Sequence, residues 1–138
     1  MILGYIIISS EGLLIHYKFF SEINKNESEL SLFAGGITAI QSFVNEILKK
    51  DIDHIKAGDW TVTFVHSKKF KVLIIATSTN NMAKGIAKKI KDIIEPIIGE
   101  YNGIIDNILT EKINDILSQK IDSDIDNINK SFSNIHYI

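Results

Sequence analysis

Three aspartates occupy alternate positions of residues 122–126. Oxygen ligands at the first, third and fifth positions are how a calcium-binding loop begins. Such a loop continues with a turn glycine and a bidentate glutamate, but Asn127 and Ser133 stand at those two positions. The competing interpretation is a helical seam through Ile125, which places the three acids on the solvated face of a helix.

The chain has 15 lysines and no arginine. Arginine is the side chain best suited to bidentate recognition of phosphate and guanine, so we expect no nucleic-acid partner. Two lysine clusters, in residues 68–71 and 84–91, have two open interpretations. They form a basic patch for anionic lipid or an acidic partner, or they are solvated and match the acidic C-terminal tail.

Histidine and cysteine give no metal-binding or catalytic pattern. The chain has no cysteine, and no two of its histidines stand four residues apart. Phosphate-binding, dinucleotide-binding and hydrolase motifs are also absent. We therefore expect no catalytic residue, no metal and no cofactor, and hence no enzymatic activity. The histidines belong to different predicted elements and are His16, His54, His66 and His136.

The N-terminal apolar run, residues 1–8, predicts a strand rather than a signal peptide. No basic region precedes it, and residues 9–12 end it. No other run approaches the roughly 18 apolar residues of a spanning helix, so we expect membrane contact to be peripheral at most. With the absence of cysteine, these features are typical of a cytoplasmic protein.

Hydrophobic periodicity predicts five strands. Residues 3–9 and 13–19 are expected to form a β-hairpin whose turn contains Gly12, and residues 52–78 a meander of three strands. The first and the fifth strand are apolar almost throughout, which is typical of strands covered on both faces. We therefore expect these two strands at the centre of the sheet.

An amphipathic helix is predicted to follow an N-cap at Asn26 and to end near Lys50. From Leu30, apolar residues recur at Phe33, Ile37, Ile40, Val44 and Ile47, and we expect this stripe to face the core. A second stripe makes the helix apolar over more of its circumference than one packed face needs, so we expect something else to cover it. That second stripe contains Leu32, Gly36, Ala39 and Phe43.

The adjacent glycines Gly35 and Gly36 lie inside this predicted helix. A glycine in a helix costs roughly 1 kcal/mol relative to alanine, so the pair calls for a compensating contact. Two explanations stay open. Either a partner backbone or ligand approaches closely here, or the helix packs closely on its own sheet.

Two further helices are predicted, one after Asn80 or Asn81 with Pro96 near its end and one through residues 104–117. Beyond them, apolar residues recur at spacings of four and three, a heptad-like seam. We therefore divide the chain into a folded domain, residues 1–118, and an amphipathic helical tail, residues 119–138. The tail seam consists of Ile121, Ile125, Ile128, Phe132 and Ile135.

This order of elements resembles the longin domain, a profilin-like α/β sandwich found in SNAREs, adaptor-complex small subunits and small archaeal proteins. Residues 4–15 are similar to the family's first hairpin, and residues 32–43 are similar to first-helix segments of archaeal members. The related roadblock fold shares the sheet and the association with small GTPases, but it begins with a helix that is not predicted here. The resemblance implies an antiparallel five-stranded sheet in the order 2-1-5-4-3, with the first helix on one face and the last two on the other.

The longin resemblance also implies a function. It makes the chain a non-catalytic protein-interaction module, an adaptor or regulator of small GTPases or of trafficking-like complexes. The implied partner is a small GTPase or another longin or roadblock protein, and a homodimer is also open. Partner segments in the family bind between the first helix and the third strand, which here implies Leu32, Gly36, Ala39, Phe43 and Ile55.

Further alternatives stay open. In one, the tail folds back into that groove and blocks it; in another, the tail joins two copies. A third makes the chain a small-ligand sensor, which requires a polar cluster inside an apolar pocket. The candidates for that cluster are Thr61, Thr63, Thr77 and Thr79.

Overall fold

A computed structural model describes residues 1–20, 26–77, 81–99 and 106–135, with the backbone alone at 81, 99 and 132–135. Five antiparallel strands form one sheet in the order β2-β1-β5-β4-β3. The predicted order is therefore confirmed. The strands are β1 (Ile2–Ser9), β2 (Leu14–Phe19), β3 (His54–Ala57), β4 (Trp60–His66) and β5 (Phe70–Ala76).

Strands β1 and β5 lie at the centre of the sheet, as their apolar sequences predict. Every residue of β1 is buried, and in β5 only Lys71 is less than fully covered. The hairpin turn between β1 and β2 contains Gly12 at a φ of 94°, the left-handed conformation that glycine adopts without strain. At the opposite edge, β3 is short and mostly exposed.

Within the described residues, four helices cover the sheet: α1 (Glu27–Leu48), α2 (Asn81–Gly99), α3 (Asn107–Lys120) and α4 (Asp122–Ile135). The predicted N-cap of α1 is present, since the Asn26 side chain accepts a hydrogen bond from the Glu29 N–H at 2.9 Å. Asp106 caps α3 in the same way, through the Leu109 N–H. The predicted cap at Asn80 lies outside the described residues.

The alternation of side chains along the strands divides the core into two layers. One layer lies between the sheet and α1, where Ile6 and Leu73 meet Leu30, Ala34 and Ile37. The other lies between the sheet and the helices α2, α3 and α4. The implied arrangement, with the first helix on one face and the later helices on the other, is therefore confirmed.

The tail residues fold as α4, which packs on the face opposite α1. Ile121 and Ile125 are fully buried there, and Ile128 is partly buried against the same layer. The Asn129 side chain accepts a hydrogen bond from the Ile2 N–H at 2.8 Å and donates one to the Ile2 carbonyl at 2.9 Å. These contacts hold α4 against the start of β1, so it does not occupy the groove beside α1. The side chains of Phe132 and Ile135 lie outside the described residues.

In the part of the chain that the structure describes, no helix is both long enough and apolar enough to cross a bilayer.

Candidate protein-docking surface on the first helix

One side of α1 carries apolar side chains that are exposed. Leu32, Phe43 and Ile47 are 78%, 63% and 60% exposed, and Ile40 is 48% exposed. Together with the exposed small residues Gly36 and Ala39, these side chains follow helical spacing. All of them therefore lie on one side of the helix. We call this set the α1 flank: Leu32, Gly36, Ala39, Ile40, Phe43 and Ile47.

The side of α1 that faces the sheet differs from the predicted stripe. Its buried residues are Leu30, Ala34, Ile37 and Gln41, with Phe33 and Val44 partly buried. The placement of Ile40 and Ile47 in the core was therefore wrong, because the helix is rotated to bury Ala34 and Gln41. The signal was present in the sequence: Leu30, Ala34, Ile37 and Gln41 follow helical spacing, but the polar side chain of Gln41 conceals it.

Gln41 is held beneath the helix by a contact with the sheet. Its Nε2 lies 3.5 Å from Nε2 of His66, whose ring also lies 3.2 Å from the Ile52 carbonyl oxygen. Both contacts involve the same imidazole nitrogen, so its role depends on the tautomer: when protonated it donates to the Ile52 carbonyl oxygen, and when unprotonated it accepts from the Gln41 amide. Gln41 therefore lies on the sheet-facing side of α1 together with Leu30, Ala34 and Ile37, and the flank faces outwards.

The glycine pair is not explained by packing on the sheet. A Cβ atom built at Gly35 or Gly36 would meet nothing within 4 Å, and neither residue has a positive φ. Close packing of the helix on its own sheet is therefore wrong as the reason for the pair. Close approach of a partner backbone or ligand stays a prediction.

Ile55 does not share the exposure of the flank. It lies on β3, is partly buried and packs against the layer beneath α1. Near it, an apolar cavity of about 250 Å³ opens between the first turns of α1 and the sheet. Trp60, which is 43% exposed, borders this cavity and was not singled out from the sequence. The cavity is lined by Ile6, Phe19, Glu29, Leu30, Phe33, Ala57, Trp60, Val62 and Ile75.

The ends of α1 carry opposite charges. Glu27 and Glu29 lie in its first turn, while Lys49 and Lys50 follow its last residue. The acidic start complements the positive end of the helix dipole, and the basic end complements the negative one. The flank therefore runs from an acidic end to a basic end.

The aspartates that resemble a calcium loop lie at the start of α4 and face lysines. Asp122 pairs with Lys18 of β2, and Asp124 pairs with Lys89 of α2. Part of the lysine cluster therefore matches the acidic tail, as one of the two interpretations proposed. Lys68, Lys69, Lys84 and Lys88 are exposed.

A buried polar group lies beneath α4, on the face opposite the flank. Burial raises the pKa of the Tyr5 hydroxyl, and Asp122 raises it further, although the two groups do not meet in hydrogen-bond geometry. Burial also lowers the pKa of His16, as does the neighbouring Lys18, while Asp122 opposes this effect. These groups join β1 and β2 to α4 and do not contact the flank.

Of the four threonines proposed for a ligand site, the three that the structure describes do not line the apolar cavity. Thr61 is buried, and its hydroxyl has no hydrogen-bond partner among the described residues. Thr77 accepts a hydrogen bond from the N-terminal amine of Met1 at 3.1 Å. Thr63 is partly buried on β4, and Thr79 lies outside the described residues.

Comparison with known proteins gives likeness in structure alone. No protein-family model and no curated protein matches the chain. The roadblock/LC7 domain from Streptomyces avermitilis is 7% identical with a TM-score of 0.57, covering 70% of this chain and 85% of that one. Myxococcus xanthus MglB is 14% identical with a TM-score of 0.56, covering 72% and 85%.

A third similar structure extends over nearly the whole chain. It is a chain in a homology model of the full-length AP-3 complex in a stretched open conformation, 12% identical, with a TM-score of 0.57. The match covers 99% of this chain and 98% of that one, so it includes the C-terminal helices. Together, the sheet order and these likenesses show that the chain has the longin/roadblock fold.

Proposed function

We propose that this chain is a non-catalytic protein-interaction module that binds a protein partner through the α1 flank. The observation that carries the proposal is the exposure of Leu32, Ile40, Phe43 and Ile47 along one side of a single helix. A continuous apolar surface of this kind is unfavourable in water and marks an interaction site when it is large enough. The longin/roadblock fold supports the same role, since a chain of the multi-chain AP-3 complex shares it.

The partner class that we propose is a small GTPase or a subunit of a trafficking-like complex, which the chain serves as an adaptor or regulator. This class follows from the longin resemblance. The flank supplies the chemistry of recognition: an apolar strip that fits the apolar side of a partner helix or strand, with charged residues at its two ends.

The experiment compares two variants for binding to purified small GTPases and adaptor subunits from the same cell. The double variant Leu32→Ser, Phe43→Ser should weaken binding by about tenfold or more, because each substitution removes a large exposed apolar side chain of the flank. Ile108→Ser is the matched control, since Ile108 is 69% exposed but lies on α3. Binding that is lost equally in both variants, or in neither, would contradict the proposal.

A small-ligand sensor is the second candidate, and the apolar cavity beside α1 favours it. Its volume of about 250 Å³ is close to the lower end of ligand pockets. Trp60 is the one tryptophan of the chain and borders the cavity, so its fluorescence reports on occupancy directly. A metabolite library that leaves the Trp60 emission unchanged, in both the native chain and Phe33→Ala, would exclude this candidate.

A further inference from the structure

A cluster of polar side chains lies where the start of α4 meets β1 and β2. Its members are Tyr5 of β1, His16 and Lys18 of β2, and Asp122, the first residue of α4. We infer that this cluster makes the docking of α4 depend on pH: α4 is docked while His16 is neutral, and protonation of His16 releases it. The release takes place on the face opposite the α1 flank, so it does not depend on the partner proposed there.

Three polar atoms of the cluster are buried without a hydrogen-bond partner among the described residues. They are the Tyr5 hydroxyl, Nε2 of His16 and Oδ1 of Asp122. The rings of Tyr5 and His16 lie close together, with their centroids 6.0 Å apart. The other carboxylate oxygen of Asp122 forms an ion pair with Lys18, whose ammonium lies 5.7 Å from the centre of the Phe20 ring. Nε2 of His16 is therefore enclosed beside a cation and a carboxylate that are already paired with each other.

A protonated His16 does not suit this cluster. An imidazolium carries a proton on each ring nitrogen, so its formation would place a second cation beside Lys18. Burying a charge is unfavourable unless the charge is paired and hydrogen-bonded, and Asp122 already neutralises Lys18. Burial and Lys18 accordingly lower the pKa of His16, and Asp122 opposes them with a smaller effect. The Tyr5 hydroxyl adds no charge, because burial and Asp122 both raise its pKa.

Two further acidic groups lie near His16, one on each side of β2. Asp106 at the start of α3 and Glu27 in the first turn of α1 line the same groove as His16. Both are exposed, so water screens their attraction for an imidazolium. The charges that decide the protonation of the docked imidazole are therefore the enclosed pair, Lys18 and Asp122.

Release of α4 changes the environment of His16. The cluster then opens to water, which removes the penalty of burial and screens Lys18, so the pKa of His16 rises towards its ordinary value of about 6.5. A proton consequently binds the released form more tightly than the docked form. Docking is at full strength above about pH 6.5 and weakens as the pH falls towards the lower pKa of the docked form. For one proton, the ratio of docked to released chains falls by at most about tenfold per pH unit.

Protonation of His16 uncovers apolar surface that the docked α4 conceals. Ile121 and Ile125 are fully buried in the docked chain, and Asn129 holds α4 to Ile2 by two hydrogen bonds. Neither the apolar contacts nor the amide changes its charge with pH. They set the strength of docking at neutral pH, whereas His16 sets its pH dependence. The chain thus exposes the α1 flank at neutral pH and adds a second apolar surface in acid.

Amide hydrogen exchange tests the release, with each rate divided by that of the unstructured chain at the same pH. Between about pH 6.5 and 5.5, the protection of α4 amides should fall by up to about tenfold, whereas that of β5 amides should stay constant. Unchanged protection of α4 over this range overturns the inference. An equal fall in α4 and β5 also overturns it, since acid would then unfold the whole chain and not release one helix.

Histidine variants assign the pH dependence to its source. His16→Gln keeps a neutral polar side chain at this position and should abolish the pH dependence of α4 protection. His54→Gln is the matched control, because His54 is exposed on β3 and should leave that dependence as in the native chain. A dependence that survives His16→Gln, or that His54→Gln also removes, overturns the inference.

Lys18→Met tests the cluster by a change of opposite sign. Methionine keeps an apolar side chain beside Phe20 and frees Asp122 to pair with a protonated His16, so acid should weaken the docking of α4 less or even strengthen it. Imidazole NMR signals, assigned to His16 by their loss in His16→Gln, measure the pKa directly. It should lie below about 6.5 in the native chain and rise in Lys18→Met. A native pKa at or above this value, or a pKa that falls in Lys18→Met, overturns the inference.

Discussion

One face of the sheet carries three helices, and the other carries one. On the side of α2, α3 and α4 the core contains 21 buried residues of the described chain, against 9 on the side of α1. The three-helix face is also held by polar contacts between distant segments, such as the pair of hydrogen bonds between Asn129 and Ile2. On the α1 side, apolar residues remain exposed along the flank.

The difference separates two uses of an apolar stripe. The seam of α4 and the flank of α1 are both apolar residues at helical spacing, yet Ile121 and Ile125 are fully buried while Leu32 and Phe43 are 78% and 63% exposed. The seam contributes to folding because the chain itself covers it. The flank contributes little to folding, and this makes it available for binding.

The largest effect that distinguishes the two faces is expected from matched truncations. Ile90→Ala removes a fully buried side chain of α2 and should lower the free energy of unfolding by about 2–5 kcal/mol. Leu32→Ala on the flank should change it by no more than about 0.5 kcal/mol, since little burial is lost. Urea denaturation at low protein concentration measures both, and similar losses for the two variants would refute the contrast.

A smaller effect is expected from the contact that docks α4. Asn129→Ala leaves the N–H and the carbonyl of Ile2 without their side-chain partner and should cost about 1–3 kcal/mol. It should also speed amide hydrogen exchange throughout α4, because the helix opens more often. Asn127→Ala, at an exposed position of the same helix, is the control; exchange that is unchanged by Asn129→Ala would contradict this role.

The fold could be predicted from the sequence to a large extent. The apolar runs of β1 and β5 identified the central strands, and Asn26 identified the start of α1. The strand order itself came from the longin resemblance, since periodicity does not say which strands pair. The face that α4 covers could not be predicted, because contacts such as that between Asn129 and Ile2, separated by 127 residues, appear only in the folded chain.

The candidate site was predicted only in part. The surplus stripe indicated Leu32 and Phe43, which are exposed, but Ile40 and Ile47 were assigned to the core. The error came from Gln41, because a polar side chain is not expected in a buried stripe. In the fold Gln41 is buried beside His66, in line with Leu30, Ala34 and Ile37. An apolar stripe in the sequence does not distinguish a face that the chain buries from a face that stays exposed, so the burial of each residue is read from the fold.

A still smaller effect, of opposite sign, is expected at the glycine pair. Gly35→Ala should raise the free energy of unfolding by about 0.5–1 kcal/mol, since alanine favours the helix and a Cβ there meets nothing within 4 Å. Gly36→Ala should stabilise the chain by a similar amount, since a Cβ there also meets nothing within 4 Å. Urea denaturation of the two variants measures both changes. Destabilisation by Gly35→Ala would show that another part of the chain covers this position.

The smallest effect is expected at the outer ion pair of the three-helix face. Lys89 and Asp124 are half and one-third exposed, so water screens their attraction, and Lys89→Ala should cost no more than about 0.5 kcal/mol. Lys88→Ala, at the neighbouring exposed position, controls for the helix preference of alanine. The difference between the two variants should disappear in about 1 M salt, where charges are screened within a few ångströms. A difference in the free energy of unfolding that persists in salt would mean that Lys89 stabilises the docking of α4 through apolar packing of its aliphatic stem and not through its charge.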